Sequence, residues 1–213
     1  MKTVRLIRHG QSEANAGAAS RDHASIPLTN KGLQQAKSVA HTFAHAPELI
    51  VTSAFARAQH TAGATAARFP SAPFEAWPIQ EFTYLEPARC VNTTVAQRQG
   101  WVKAYWDRAE PGYSDGAGAE SFSDFIGRAR TFLDSLAAHP ARDIAVFSHG
   151  QFLNAVAWLL ERQPQRINGY AMADWRAYDI EHHIENCAGY RLFRGQGAEV
   201  WELGQRVGPQ GGI

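Results

Sequence analysis

Two histidines in this chain each close an apolar run, and each is followed by glycine. Arg8-His9-Gly10 follows Thr3-Val4-Arg5-Leu6-Ile7, and Ser148-His149-Gly150 follows Ile144-Ala145-Val146-Phe147. A short apolar run ended by a breaker reads as a buried strand. Ligands of open α/β sheets bind beyond the carboxyl ends of the strands. His9 and His149 are therefore expected to meet in one site built from both ends of the chain. An unprotonated imidazole nitrogen can attack phosphorus and carry it covalently. Phosphoryl transfer also needs positive groups around the equatorial oxygens. Arg8, beside His9, and Arg57, after a second apolar run at 49–53, carry guanidinium forks that match phosphate. A protonated His149 would add a third charge. An arginine at the positive end of a helix is unhelpful unless an anion binds there, which also favours a phosphate site around Arg57.

These residues need elements to hold them. Residues 3–8, 49–53 and 143–147 read as strands, with a short third strand near 79–82 between the last two. Residues 11–28 read as a loop. Thr29 is a helix cap, Leu28 and Leu33 form a hydrophobic staple, and Leu33, Ala36, Ala40 and Phe43 follow a helical period. A second, Ala-rich helix covers about 57–68. Ser121 and Asp124 resemble a capping box ahead of an amphipathic helix bearing Phe122, Phe125, Ile126, Ala129, Leu133 and Leu136. An apolar helix covers 152–160. Residues 190–193 and 199–203, around Gly195-Gln196-Gly197, read as a hairpin. Strands alternating with helices predict a three-layer α/β sandwich: a mainly parallel central sheet with helices on both faces. Residues 1–207 are expected to form one domain, with 83–118 as a cap insertion over the site and 208–213 as a flexible tail.

Composition narrows the function. The chain has 213 residues and a net charge of +1, so no global basic excess points to nucleic acid or an anionic membrane. No apolar run approaches the length of a membrane helix, and no signal-like segment precedes Arg8, which makes the cytoplasm the expected compartment. Cys90 and Cys187 read as free thiols rather than a disulfide framework or a zinc site. His41 and His45 have metal-compatible spacing on an expected helix. They lack the intervening acid of a zinc-protease motif and read as surface residues. His182 and His183 would diverge on a strand. Arg21 and Arg89 could reach a second anionic group on a ligand, but read first as ordinary surface arginines.

Four segments together resemble the histidine phosphatase superfamily, the phosphoglycerate-mutase-like group. They are residues 8–15 (RHGQSEAN), 27–36 from Pro27-Leu28-Thr29 through Gly32 to Gln35-Ala36, 53–62 around Arg57-Ala58, and 148–150 (SHG). They occur in the family's order. The resemblance implies that His9 is the phosphorylated nucleophile and that Arg8, Arg57 and His149 form the phosphate pocket. Asn15 stands at its rim, with Gln11, Ser12 and Gly150 as further binding residues. It also implies a proton donor after the third strand, which Glu81 matches and for which Glu86 is the competitor. Such a carboxyl must stay protonated near neutral pH, which burial can arrange. Family members often follow the acid with a Gly-x-Trp-Glu-Gly-like stretch, where this chain has Thr83-Tyr84-Leu85-Glu86-Pro87. The implied activity is metal- and cofactor-independent hydrolysis of a phosphomonoester. The alternatives are a phosphomutase and a non-catalytic module that binds phospho-ligands. The expected partner is a phosphorylated small molecule or phosphate, and the oligomeric state is open.

Overall fold

The computed structural model describes residues 1–19, 22–198 and 200–208. Arg21, the 209–213 part of the expected tail and position 199 of the expected hairpin lie outside the described residues. The elements run β1 (Lys2–Arg8), α1 (Asn30–His41), β2 (Leu49–Ser53), α2 (Ala56–Arg68) and β3 (Phe74–Trp77). They continue α3 (Pro87–Cys90), α4 (Val95–Arg108), α5 (Phe122–Ala138), β4 (Asp143–Ser148), α6 (Gly150–Arg162), α7 (Gly169–Glu181), β5 (Gly189–Arg194) and β6 (Glu202–Val207).

The sheet order is β3-β2-β4-β1-β5-β6. The first four strands are parallel, and β5 and β6 join antiparallel at the β1 edge. β4 therefore sits between β1 and β2. That order brings the carboxyl ends of all three together, with Arg8 in register with Ser148.

Strand alternation divides the core into two layers. Val4 and Leu6 of β1, Leu49 and Val51 of β2, and Ile144 and Val146 of β4 face one side, where they pack with residues of α4, α5, α6 and α7. Ile7, Ile50, Ala145 and Phe147 face the other, against Val39 of α1 and Ala62 of α2. The expected three-layer sandwich is thus the fold observed.

Several sequence expectations need correction. Residues 79–82 are not a strand. The third strand is Phe74–Trp77, an exposed edge whose residues carry no buried pattern. Ile79 and Phe82 are buried all the same, in irregular chain between β3 and α3. Thr29 does cap α1, its side chain accepting from the Gly32 amide, but Leu33 faces outward at 43% exposure and cannot staple onto buried Leu28. Gly32, not Leu33, is the residue turned inward. α1 ends at His41, so His45 lies beyond it and the two do not share a helical face. His182 caps α7 rather than lying on a strand, and stacks on Tyr178 at 4.0 Å. Ser121 caps α5, but the Asp124 carboxylate takes the Ser121 hydroxyl instead of its amide, so the box is not reciprocal. α7 has no counterpart in the sequence reading.

Candidate active site

The site begins where β1 runs out. The His9 amide donates to the Ser148 carbonyl at 2.9 Å, extending the β1–β4 pairing by one residue. The chain then turns sharply at Gly10 and lies against the start of α1. A Cβ on Gly10 would stand 2.6 Å from the Gly32 carbonyl oxygen, and one on Gly32 would stand 2.1 Å from the Gln11 carbonyl oxygen. Neither position has room for a side chain. This backbone-on-backbone contact is the physical reason for glycine in both segments. Gln11 completes the junction: its amide donates to Gln35 Oε1 at 2.8 Å, and its Oε1 accepts from Thr29 Oγ1 at 2.9 Å. Gln11 therefore holds the α1 junction, and it is not among the residues that line the cavity.

The His9 ring is 2% exposed and its tautomer is fixed. Nδ1 lies 2.7 Å from the carbonyl oxygen of Gly10, which can only accept, so Nδ1 carries the proton. Nε2 then holds the lone pair, and it accepts from Arg57 Nε at 3.1 Å. Burial and the charges of Arg57 and Arg8 hold the His9 pKa well below its ordinary value, with the Gly10 contact opposing them. The ring is neutral and nucleophilic at neutral pH.

Arg57 enters from the first turn of α2, and its NH1 donates to the His23 carbonyl at 2.7 Å. Burial lowers its pKa to about 10, with Glu81 opposing the shift, so it remains a cation at neutral pH. Arg8 projects from the end of β1 and donates to the Ile184 carbonyl, while its Nε is buried with no partner among the described residues.

His149 is fully buried, with its ring 5.1 Å from that of His9, centroid to centroid. Ser53 Oγ accepts from the Phe55 amide and lies 2.9 Å from His149 Nε2. The hydroxyl is then free to donate its own proton to Nε2. That leaves the proton on Nδ1, which is buried and has no partner among the described residues. Burial first, then Arg57, His9 and Arg8, hold the His149 pKa well below its ordinary value. The protonation that would let His149 add a third charge is therefore disfavoured in the free protein, and the ring acts as a neutral donor.

Glu81 lies in the irregular chain after β3. Its Oε1 accepts from the Gln151 amide at 3.1 Å, in the first turn of α6, and from the Phe82 amide at 3.3 Å. Burial raises its pKa, against the pull of Arg57 and Arg8 and with help from Asp179. Glu86 does not reach the site. Its amide donates to Asp115 Oδ2 at 3.0 Å, and its side chain packs against Gly116.

Ser12 and Asn15 form a reciprocal pair, each amide donating to the other's side-chain oxygen at 3.3 Å. Asn186, which sequence reasoning missed, donates to the His9 carbonyl at 2.9 Å and to Asn15 Oδ1 at 3.2 Å. Gly150 opens α6, where a Cβ would sit 3.6 Å from Arg8 Nε. Arg8, His9, Ser12, Asn15, Arg57 and Glu81 converge on one cavity of about 260 Å³. The His149 ring packs edge-on against that of His9. The roof comes from Tyr84, Leu85, Val95, Arg98 and Val102, all within the expected cap segment. Arg89 is absent from this wall; it pairs with Asp115 and lies over the Trp101 ring at 4.8 Å.

The profile of the histidine phosphatase superfamily (branch 1) matches residues 4–188. The chain belongs to this superfamily. Adenosylcobalamin/α-ribazole phosphatase of Salmonella typhimurium is 45% identical over 58 residues, a match that spans 27% of this chain and 29% of that protein. Among solved structures, the α-ribazole phosphatase of Shigella flexneri superposes with a TM-score of 0.74 at 20% identity, covering 99% of this chain and 98% of the other. A mycobacterial glucosyl-3-phosphoglycerate phosphatase in complex with VO3 gives 0.74 at 21% identity, covering 98% and 100%. At these identities the solved structures show a shared histidine phosphatase fold. The histidine phosphatase profile itself spans both strand-end histidines, Arg57 and Glu81.

Proposed function

We propose that this chain is a metal-independent phosphatase that hydrolyses a phosphomonoester through a phosphohistidine on His9. The observation that carries the reading is the locked His9 ring. Its proton is committed to the Gly10 carbonyl, and its Nε2 lone pair is held at 3.1 Å by Arg57, beside Arg8. A docking phosphate takes over the Arg57 hydrogen bond and frees that lone pair for in-line attack. Arg8 Nε and His149 Nδ1, both buried with no partner among the described residues, are donors a phosphoryl oxygen can satisfy.

In the first step His9 Nε2 bonds to phosphorus as the ester P–O bond breaks, and Glu81 gives its proton to the departing oxygen. In the second, water attacks phosphorus, Glu81 takes back a proton, and the N–P bond breaks to release phosphate and neutral His9. The arginines and His149 supply the charge stabilisation that phosphoryl transfer requires. The histidine phosphatase family and the α-ribazole and glucosyl-3-phosphoglycerate phosphatase relatives support hydrolysis. Residues 83–118 act as the cap that closes over the leaving group.

The test is phosphate release from an aryl phosphate and a panel of metabolite phosphates in EDTA, without a bisphosphate primer. Sustained turnover that is lost in His9→Ala is expected. Turnover that needs an added divalent metal, or that persists in His9→Ala, would overturn the reading. Dependence on a bisphosphate primer would make the chain a mutase.

A further inference from the structure

Glu81 sits on chain that no regular element holds. Residues 78–86, between β3 and α3, belong to no helix or strand, so no sheet ladder or helical turn fixes where the carboxyl points. A general acid must stand within hydrogen-bond reach of the oxygen it protonates, and a displacement of about 1 Å can cost roughly 10²-fold in rate.

The segment is tied by its carbonyls instead. Three in succession accept from side chains of other elements. Arg128 of α5 donates NH1 to the Pro78 carbonyl at 3.1 Å and to the Gln80 carbonyl at 2.9 Å. Between them, the Ile79 carbonyl accepts from the hydroxyl of Ser148, the last residue of β4, at 2.6 Å. A further tie lies beyond Glu81, where the Glu120 amide donates to the Thr83 carbonyl at 2.8 Å. Buried carbonyls need partners in any fold, and backbone pairing usually supplies them. Here side chains do so, and every tie falls within three residues of Glu81.

Arg128 and Glu120 lock one another. Nε and NH2 of Arg128 donate to the two carboxylate oxygens of Glu120 at 2.8 and 2.7 Å, and the two side chains are only 11% and 19% exposed. One guanidinium thus directs two donors to a carboxylate and two to peptide carbonyls, a planar pattern that a lysine ammonium does not copy. Ser148 links the same segment to the nucleophile, because its carbonyl accepts the His9 amide at 2.9 Å.

We propose that Arg128 and Ser148 are positioning residues that hold the segment of Glu81 in register with His9, so that proton donation to the leaving oxygen depends on them. The proposal rests on Glu81 being the proton donor.

The test compares two esters of similar shape on the full chain. Phenyl phosphate has a leaving oxygen that needs a proton, and 4-nitrophenyl phosphate has one that departs readily as an anion. kcat/KM for each is measured with the native protein, Glu81→Gln, Arg128→Lys, Ser148→Ala and the Glu81→Gln/Arg128→Lys double variant, and thermal melting checks that each is folded. Glu81→Gln is expected to cut phenyl phosphate turnover roughly 10²–10⁴-fold and 4-nitrophenyl phosphate turnover far less. Arg128→Lys should cut the first about tenfold or more and the second less than about threefold, with Ser148→Ala moving the ratio the same way. The double variant should show no further change in the ratio, since both substitutions act on one proton transfer. Equal losses on the two esters in Arg128→Lys and Ser148→Ala would mean a merely structural role and overturn the proposal, as would a change in the ratio that adds in full to that of Glu81→Gln. Ser148→Ala decides if Arg128→Lys does not fold. Discrimination by Glu81→Gln without discrimination by either positioning variant sinks the positioning role alone. Equal losses on the two esters in Glu81→Gln would sink the acid assignment and the positioning role together.

Discussion

His9 and Glu81 are moved in opposite directions by the same cause. Withdrawal from water lowers the pKa of the imidazole and raises that of the carboxyl. The proposed chemistry needs His9 neutral and Glu81 protonated in the free enzyme. The first shift extends the range in which His9 is neutral toward acid pH, and the second extends the range in which Glu81 is protonated toward alkaline pH. kcat/KM should therefore fall as pH rises through the Glu81 value, and fall again at the acid end as His9 gains a proton. Glu81→Gln should remove the alkaline limb and cut kcat roughly 10²–10⁴-fold, the usual contribution of a general acid. Glu86→Gln, bound up with the Asp115–Gly116 turn, should change kcat less than about twofold. A pH–rate series on the three proteins checks this, and the reverse pattern would make Glu86 the acid. At this scale the sequence was informative where types cluster locally. Arg8, His9, Arg57 and His149 sit in short recognisable segments. His23, Arg98, Gln151 and Asn186 do not, because their roles come from tertiary contacts between residues far apart in the chain.

Each strand end presents its side chain because the following element is held at a fixed angle. The tightest such joint is Gly10 and Gln11 against Gly32, a contact between two backbones with no space for a Cβ. Gly32→Ala would drive the α1 start and the His9 loop apart. It should cost about 1–3 kcal/mol, as overpacking does, and lower activity more than stability because His9 and Arg57 lose their alignment. Denaturant melts together with phosphate-release assays check this; a variant with unchanged activity would show that the joint does not set the nucleophile. Strands β1, β2 and β4 and helix α6 were legible as apolar runs that are buried, and α1, α2 and α5 by helical periodicity. β3 was misplaced because the true strand is an exposed edge, while the buried Ile79 and Phe82 lie in irregular chain. α7 was missed because its apolar residues Met172, Trp175 and Tyr178 are buried while Tyr170 and Ile180 are exposed, so no single stripe marks it.

Across the molecule, the sheet order brings residues from both ends of the chain into one buried polar site, and that arrangement weakens the fold at acid pH. His9 and His149 are buried neutral, with pKa values well below the 6.5 of an exposed histidine. The unfolded chain then binds more protons than the folded one as pH drops below 6.5. Stability should fall over that range by up to about 1.4 kcal/mol per pH unit for each histidine. His149→Gln should flatten the slope by about one histidine's share, read from denaturant melts at stepped pH; an unchanged slope would mean that His149 is not held neutral by the fold. The central claim concerns a covalent bond, so the most direct measurement is rapid-quench trapping of the enzyme with a ³²P-labelled substrate, followed by mapping of the label. The account predicts an acid-labile, base-stable phosphate on His9 that forms and decays at rates compatible with turnover and is absent in His9→Ala. Full turnover with no label on His9, or with label on another residue, would contradict it.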